Sequence, residues 1–311
     1  MRGIFTAATL AELERRHLGG RPITSCFDLI AGTSTGGIIA LGLGADMTAA
    51  QLADLYVTRG NEVFPPPAGN LAQFRAWARS KWHLVSHLYD RDALSRLLEQ
   101  ALGDRLFGES CTRLCIPAFE GRHSEVFVFK TPHHADYKTD RFERMTTVGL
   151  ATSAAPTYFR PLEHGGYTLV DGGVWANNPI MLAVIEAMTC YDVRRDQIQV
   201  LSIGCGDNRY IVSQPEIAHG GIWHWRRVML AAMRLQSLAA TNQARLLLGP
   251  PQVVRIDPPE MQPPIRLDDW ERSVIELLPI AAERLGSHEE SILNRFLSEP
   301  AEPFLPVAVH E

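Results

Sequence analysis

The residues with the clearest chemical meaning lie in one short run, Gly32-Thr33-Ser34-Thr35-Gly36. The run follows a short apolar stretch at residues 26–31 and precedes a helix-like segment rich in glycine and isoleucine. A serine flanked by glycines at a strand-to-helix turn is typical of a nucleophile elbow, because side chains at the flanks would collide with the neighbouring strand and helix. The bare pattern arises by chance in about one chain in ten of this length. Its place between a predicted strand and a predicted helix is therefore what favours catalysis.

A serine hydroxyl becomes a good nucleophile only when a neighbouring group accepts its proton. Asp171 is the best candidate for that base, because it ends a predicted strand and is followed by Gly172 and Gly173. Active-site groups of parallel sheets gather at strand ends, and two glycines let the backbone approach another loop closely. Taken alone, an aspartate at a strand end followed by glycine is more often a turn or a cap, by about two to one.

Further motifs give the sequence a family resemblance. Besides the elbow, it contains ATSAAPTYF at residues 151–159, Asp-Gly-Gly at 171–173 and Asn-Asn-Pro at 177–179, in this order. With these motifs the chain resembles the patatin-like phospholipases over residues 2–206. The resemblance implies a three-layer α/β/α fold with a mostly parallel central sheet. It also implies that Ser34 attacks fatty acyl esters of phospholipids and other lipids and that Asp171 accepts its proton. An acyl-enzyme then reacts with water, with no metal and no organic cofactor.

The chain departs from the family pattern at its N-terminus. Patatin-like proteins open with a strand and a glycine tract that ends in Arg-Gly and supplies the oxyanion hole, whereas here only Arg2 and Gly3 of it remain. We therefore expect the first strand and the glycine loop to lie upstream of Met1, with a misplaced start codon as the reason. The remaining oxyanion donors are then the Thr35 N–H and the backbone at Gly3. Losing one such donor typically costs about 10²- to 10³-fold in rate. An in-frame stop codon immediately upstream would refute this hypothesis.

Length and patterning predict one large α/β domain. A chain of 311 residues with 46% hydrophobic content can bury a single core, so we expect one domain over 1–311, with the motifs in 1–206 and a helical part in 207–311. Short apolar runs followed by helical patterns indicate strands covered by helices. The predicted strands are 26–31, 113–119, 125–130, 167–171, 198–203 and 252–256, and the predicted helices are 5–16, 36 onward, 48–63, 90–102, 222–248 and 269 onward. Residues 64–87, rich in proline and aromatic side chains, are a candidate lid.

Charge and cysteine content exclude several classes of protein. The formal net charge of −5 is spread without long runs of like charge, which argues against nucleic acid as a bulk partner. Five cysteines without paired short spacings indicate neither a disulfide framework nor a zinc site. No stretch approaches the roughly 20 apolar residues that a bilayer span needs. We therefore expect a cytoplasmic protein that meets the inner membrane peripherally and transiently, while its oligomeric state stays open.

Two other interpretations stay open at this stage. An α/β-hydrolase triad would use His219 or His224 as the base after Asp171. That fold places several strands before the nucleophile, whereas Ser34 follows at most one short strand here. The second alternative is a binding module that keeps the fold without the reaction, which the shortened oxyanion loop makes a real option.

The segment 222–248 joins aromatic, methionine and leucine side chains with interspersed arginines. A core-packing helix is the preferred interpretation by about three to one, and the sharper hypothesis is that residues 223–227 contact lipid or an effector. Some compact bacterial members of the family act as antiviral effectors that degrade the cell's own membrane after binding a cyclic nucleotide. The similar size of this chain makes a cyclic nucleotide a candidate activator by analogy, although no spacing here is diagnostic of such a site.

Overall fold

The computed structural model describes residues 1–65, 87–206, 212, 214, 228–288, 292, 295–297 and 299–307, with the backbone alone at 228–230. Most of the candidate lid, both histidines of the triad alternative and the 223–227 end of the amphipathic segment lie outside the described residues.

Helices and strands are interspersed along the described chain. The helices are α1 Gly3–His17, α2 Thr35–Gly44, α3 Ala49–Val63, α4 Arg91–Leu102, α5 Met145–Thr152, α6 Gly173–Ala176, α7 Ile180–Cys190, α8 Val228–Leu248, α9 Trp270–Arg272 and α10 Leu278–Gly286, with a π-helical turn Ser273–Leu277 between the last two. The strands are β1 Leu29–Ala31, β2 Arg113–Glu120, β3 Glu125–Lys130, β4 Leu162–His164, β5 Tyr167–Asp171, β6 Val200–Ile203 and β7 Val253–Ile256. The predicted α/β class is confirmed. The sequence patterns did not predict α5, α6, α7 or β4.

Local signals set the ends of several helices. The Thr48 hydroxyl accepts a hydrogen bond from the Gln51 N–H at 3.2 Å, and the Gln51 side chain accepts one from the Thr48 N–H at 2.9 Å. This reciprocal pair is the capping box that the sequence predicts, and it satisfies two N–H groups that a helix start leaves without partners. Asp90 likewise caps α4 through the Asp92 N–H. These helices therefore begin where their capping residues predict.

The five-stranded sheet is organised around β2. Strand β1 pairs with β2 in parallel, whereas β3 and β5 are both antiparallel to β2, and β4 forms an antiparallel hairpin with β5. Strands β6 and β7 form a separate parallel pair. Parallel pairing is thus present at β1–β2 and β6–β7, while the short β2–β3 and β4–β5 connections produce antiparallel pairs.

Strands β1 and β5 share one edge of β2. Cys115 pairs with both Ala31 and Lys130, and Ala118 pairs with both Phe127 and Asp171. Since β3 occupies one edge at both positions, β1 and β5 must lie along the other edge. Their directions are opposite, so the carboxyl end of each strand points towards that of the other. The loop after β1 and the loop after β5 therefore meet beside residues 115–118.

Helices cover the sheet in separate hydrophobic clusters. In the first, the apolar faces of α1, α3 and α10 pack together around Phe5, Leu13 and Leu285, all fully buried. In the second, α5 packs against β2, and α4 packs against α5. A third cluster joins α7 and α8 to β7. None of the described helices is both long and apolar enough to cross a membrane.

Candidate active site

Ser34 lies at the sharp turn between β1 and α2. Its backbone has φ 57° and ψ −124°, a conformation that non-glycine residues rarely adopt and that costs about 1–3 kcal/mol. A Cβ atom at Gly32 would lie only 2.2 Å from the Gly36 carbonyl oxygen, so this position excludes any side chain. Ser34 therefore lies at a sharp strand-to-helix turn at the end of β1, where it is half-buried.

The prediction that a side chain at Gly36 would collide with the neighbouring strand and helix is wrong. A Cβ atom at Gly36 would meet nothing within 4 Å, because this residue lies in the first turn of α2 and faces a cavity. The close approach instead occurs one residue later, at Gly37, where a Cβ atom would lie 2.7 Å from the Thr152 methyl carbon. The elbow thus needs its small residues at Gly32 and Gly37.

Asp171 lies at the end of β5 directly opposite Ser34. The Ser34 hydroxyl donates a hydrogen bond to Asp171 Oδ2 at 2.6 Å, and the Gly173 N–H donates one to Oδ1 at 2.7 Å. A Cβ atom at Gly172 would lie 2.3 Å from the Pro117 carbonyl oxygen, so this glycine allows the close approach to β2 that the sequence predicts. The sequence pattern places Ser34 and Asp171 at the ends of parallel strands, side by side. In the structure β5 is antiparallel to β2, so the carboxyl ends of β1 and β5 point towards each other.

Burial changes the acidity of Asp171. The residue is only 4% exposed, and this burial raises the pKa of its carboxyl group from 3.8 to about 6, while the hydrogen bonds from Ser34 and Gly173 oppose the rise. A carboxylate with a pKa near 6 is ionised at neutral pH and is a stronger base than an exposed aspartate. The environment of Asp171 therefore suits proton acceptance from the serine.

Thr152, at the end of α5, holds the backbone of Ser34. Its hydroxyl accepts a hydrogen bond from the Ser34 N–H at 3.0 Å and donates one to the Pro117 carbonyl at 2.7 Å. Two residues later, the Ala154 carbonyl accepts a hydrogen bond from the Asp171 N–H at 3.1 Å. The 151–159 motif thus ties both reactive loops to the sheet. Sequence reasoning identified the motif but assigned no role to Thr152.

Two of the predicted oxyanion residues, Gly3 and Thr35, lie next to each other at the start of α2. Thr35 is the first residue of α2, so its N–H has no partner in a preceding helical turn. Gly3 lies against it, since a Cβ atom at Gly3 would be 2.9 Å from Thr35 Cβ. The Arg2 guanidinium is directed elsewhere: its Nη1 donates to the Gly206 carbonyl, and its buried Nε has no hydrogen-bond partner among the described residues. The backbone of Gly3 is therefore close to the Thr35 side chain, whereas the Arg2 guanidinium points towards Gly206.

The remaining motif residues hold the surrounding helices. The Thr33 hydroxyl donates to the Ala176 carbonyl at 2.6 Å, which joins the elbow to α6. The buried Asn178 side chain donates to Thr241 Oγ1 at 3.0 Å and accepts from the Ile180 N–H at 3.2 Å. The Asn-Asn-Pro motif therefore anchors α8 to the start of α7.

A cavity of about 1480 Å³ contains the site. Ser34, Thr35 and Asp171 all line it, together with residues of β1 and β6 and the Met233–Arg234 part of α8. Small-molecule pockets usually measure about 300–1,000 Å³, so this space exceeds what a compact polar substrate needs.

Among the described residues, one group of side chains has the composition of a metal site: Cys115, His133 and Glu186, with ligand atoms within 4.8 Å of one another. Lys130 Nζ lies 2.6 Å from Glu186 Oε2, and His133 Nε2 lies 3.0 Å from Oε1. Burial would raise the pKa of Glu186, but hydrogen bonds from His133, Lys130 and Tyr137 hold that pKa below its usual value. The lysine already supplies the positive charge that the buried carboxylate needs, so the group has the character of a closed ion-pair network.

The strained turn at Ser34, the buried Asp171 carboxylate and the cavity lie together on an α/β scaffold, an arrangement suited to ester hydrolysis by a serine. The comparisons with known proteins are consistent with this chemistry. The family model "Patatin-like phospholipase" matches residues 1–184. A cGAMP-activated phospholipase of Escherichia coli is 29% identical over 100% of this chain and 93% of its own length, and one of Vibrio cholerae is 30% identical over 97% and 93%. Patatin-like protein 2 of Oryza sativa subsp. indica is 30% identical over 72% of this chain and 63% of its own length.

The chain belongs to the patatin-like phospholipase family. Its fold is the patatin fold, and its class is that of hydrolases acting on the ester bonds of lipids. The resemblance identified from the motifs is thus confirmed, and it extends over more of the chain than the motifs themselves.

Proposed function

We propose that this chain is a phospholipase of the A type that cleaves fatty acyl esters through Ser34 and Asp171. The observation that carries the proposal is the 2.6 Å hydrogen bond from the Ser34 hydroxyl to the buried Asp171 carboxylate, in a cavity large enough for an acyl lipid. This direct contact leaves no place for an imidazole between the two groups. It therefore favours a Ser/Asp dyad over the triad with His219 or His224.

The proposed reaction has two halves. Asp171 takes the proton of Ser34 as its Oγ attacks the acyl carbonyl, and the Thr35 N–H with the backbone at Gly3 stabilises the negative charge on the carbonyl oxygen. Asp171 then gives the proton to the departing alcohol, which leaves an acyl-enzyme. In the second half Asp171 takes a proton from water, the resulting hydroxide attacks the acyl carbon, and the free fatty acid leaves as Ser34 regains its proton.

Phospholipid hydrolysis tests the dyad directly. We expect the purified chain to release fatty acid from phospholipid vesicles, and Ser34→Ala and Asp171→Ala each to lower the rate by at least about 10⁴-fold while the proteins stay folded. A His219→Ala or His224→Ala variant as inactive as Ser34→Ala would support the triad instead. A folded wild-type chain without any esterase activity, on vesicles or on a short acyl ester, would support the binding module.

A cyclic dinucleotide is the activator that we propose. The support comes from the two near-full-length bacterial relatives whose names state activation by cGAMP. An enzyme that attacks phospholipid only when such a signal is present would fit an antiviral role on the cell's own membrane. The proposed encounter with the membrane is peripheral and transient, and α8 supplies candidate contacts because Leu235 and Leu238 are exposed beside the cavity-lining Arg234.

We also propose that residues 1–311 form one domain. The support is the first hydrophobic cluster, in which α1 from the motif-bearing part packs against α10 from the C-terminal part. Separating the two parts would expose Phe5, Leu13 and Leu285, which are all fully buried. Independent unfolding of the two parts in calorimetry would contradict this proposal.

A further inference from the structure

Arg91, the first residue of α4, carries a buried positive charge without a counter-charge. Its Nε and Nη2 atoms are buried and make no hydrogen bond within the described ranges. Two carboxylates lie on the same turn, at Asp90 and Asp92, but both side chains are exposed, and Asp90 instead accepts the Asp92 N–H. Burying a charged group without a partner costs free energy, so this guanidinium is unfavourable for the protein alone.

A second arginine, Arg160, approaches Arg91 through a short backbone pairing. The N–H groups of residues 88 and 89 donate hydrogen bonds to the carbonyls of residues 157 and 158, at 3.1 and 3.0 Å. Each arginine follows this pairing by two residues, so the two side chains start from neighbouring positions. Burial and the nearby Arg160 guanidinium both lower the pKa of Arg91. We call these two residues the arginine pair.

The arginine pair borders the active-site cavity. Residues 155–159, which directly precede Arg160, all line this cavity. Leu94 lines it as well, and it lies one turn after Arg91 on the same side of α4. The pair therefore stands beside the cavity, where the loop after α5 and the start of α4 come together.

The loop that ends in Arg160 also holds the reacting groups. Its Thr152 hydroxyl accepts the Ser34 N–H, and its Ala154 carbonyl accepts the Asp171 N–H. A ligand that reaches both Ser34 and the arginine pair needs a negative group close to its ester. A phospholipid has this arrangement, because only the glycerol unit separates its acyl ester from its phosphodiester. Neutral acyl lipids have no such group.

The chemistry of the arginine pair matches a phosphodiester. A guanidinium presents N–H donors in a planar fork, which suits two oxygens of one phosphate group. A phosphodiester placed between the two side chains would supply the counter-charge that Arg91 lacks. It would also reduce the repulsion between the two guanidinium groups.

We propose that Arg91 and Arg160 bind the phosphodiester of the phospholipid whose acyl ester lies at Ser34. This inference rests on the proposed phospholipase function, and it adds a basis for choosing phospholipids over neutral acyl lipids. The arginine pair contributes to substrate binding and takes no part in the transfer of the serine proton.

Lipid binding to an inactive protein tests the proposal without hydrolysis. Ser34→Ala is titrated with dihexanoyl-phosphatidylcholine and with dihexanoylglycerol, which has the same acyl chains but no phosphate. Adding Arg91→Gln or Arg160→Gln should raise the Kd for the phospholipid at least about tenfold, because a hydrogen-bonded charge is lost. The Kd for the diacylglycerol should not change. Arg96→Gln is the matched control, since it removes an exposed arginine from the same helix and should alter neither Kd.

Three results would overturn the proposal. One is an unchanged Kd for the phospholipid in both variants of the arginine pair. Another is equal weakening for the phospholipid and the diacylglycerol, which would show that the arginines only maintain the shape of the cavity. The third comes from titration with cGAMP: weaker binding of this phosphodiester, with phospholipid bound as before, would assign the pair to the activator. Because Arg160 is exposed, Arg160→Gln keeps the test decisive if Arg91→Gln unfolds the protein.

The same titrations separate this proposal from the proposed hydrolysis. If the arginine pair selects the phospholipid but the active chain releases no fatty acid, the phosphodiester site stands and the hydrolysis does not. If the active chain releases fatty acid and the variants bind phospholipid normally, the hydrolysis stands alone. A Ser34→Ala protein that binds neither lipid would contradict both.

Discussion

In the proposed dyad, the basicity of Asp171 controls whether Ser34 can react. Burial raises the pKa of the Asp171 carboxyl to about 6. Only the ionised carboxylate can accept the serine proton, so kcat/KM for a soluble short-chain ester should rise with pH up to about 6 and then stay constant towards pH 8. A stopped assay between pH 4.5 and 8, with an ester that stays uncharged over this range, measures kcat/KM as a function of pH. A midpoint near 4 would show that an ordinary, solvated carboxyl group is the base.

Because of the same burial, the ionised Asp171 carboxylate lowers the free energy of unfolding at neutral pH. Between pH 4 and 6 the folded protein keeps a proton on this carboxyl that the unfolded chain has lost, so stability falls as pH rises through this window. Above pH 6 the difference of about two in pKa corresponds to about 3 kcal/mol. Asp171→Asn should therefore abolish hydrolysis and yet raise the free energy of unfolding at pH 8, with no gain at pH 4. Urea unfolding at pH 4 and at pH 8 measures the free energy of unfolding of the variant and the wild type. A variant less stable than the wild type at pH 8 would contradict the expectation.

Thr152 is expected to position the nucleophile rather than to bind substrate. Thr152→Val keeps the shape of the side chain but removes the partner of the Ser34 N–H, so the strained turn at Ser34 loses a constraint. We expect kcat to fall by about 10- to 100-fold with KM little changed, because a small misplacement of reacting atoms costs this much. Thr152→Ser, which keeps the hydroxyl, should restore most of the rate.

The matched control for this experiment lies on the same helix. The Thr146 hydroxyl is buried without a hydrogen-bond partner among the described residues, so Thr146→Val removes no interaction. It should leave both kcat and KM unchanged and should not destabilise the protein. An equal loss of kcat in the Thr146 and Thr152 variants would indicate that packing of α5, and not the bond to Ser34, affects the rate.

At the scale of helices and strands, local signals in the sequence predict the ends of those elements whose ends are set by local interactions. The capping box at Thr48 and the cap at Asp90 predict the starts of α3 and α4 because each cap bonds to residues two or three positions ahead. The ends of β3 and β5 are predicted correctly for a similar reason, since their residue types change abruptly at the turns.

Contacts between distant segments could not be predicted in this way. The need for glycine at position 37 depends on Thr152, which is 115 residues away and approaches α2 only in the folded protein. The antiparallel pairing of β5 with β2, on the edge that β3 leaves uncovered, likewise joins segments that are distant in the sequence. The family resemblance supplied the pairing of Ser34 with Asp171, and their hydrogen bond requires the head-to-head strands that the sequence pattern did not indicate.

Helix α8 provides a test of membrane contact. Leu235 and Leu238 are 62% and 46% exposed beside residues that line the cavity, whereas Leu246 is 87% exposed about three turns further along. Leu235→Glu with Leu238→Glu should lower hydrolysis of anionic phospholipid vesicles by about tenfold or more, because two carboxylates oppose insertion among lipid headgroups. Hydrolysis of a soluble ester should not change. Leu246→Glu is the matched control, and an equal effect on vesicles at this position would argue against a localised contact.

At the scale of the whole molecule, the first hydrophobic cluster connects the active site to the C-terminal helices. Helix α1 lies between them: its first turn is next to Thr35, and its apolar face packs on α3 and α10. The Tyr56 hydroxyl of α3 also donates to the Thr35 carbonyl at 3.1 Å. A ligand that changes the packing of α1 therefore changes the surroundings of the proposed oxyanion donors, which is the physical requirement for activation from a distance.

Activation by a cyclic dinucleotide should be measurable as binding apart from catalysis. A ligand that binds only the folded state raises the unfolding midpoint, and at 100 times its Kd it contributes about 2.7 kcal/mol, or a shift of about 5 °C for a chain of this size. We expect cGAMP to produce this shift equally in the wild type and in Ser34→Ala, and to increase phospholipid hydrolysis only in the wild type. The linear dinucleotide serves as the control ligand. If cGAMP shifts neither the midpoint nor the rate, the chain has a different activator or acts without one; if it shifts the midpoint alone, the nucleotide binds but does not change the active site.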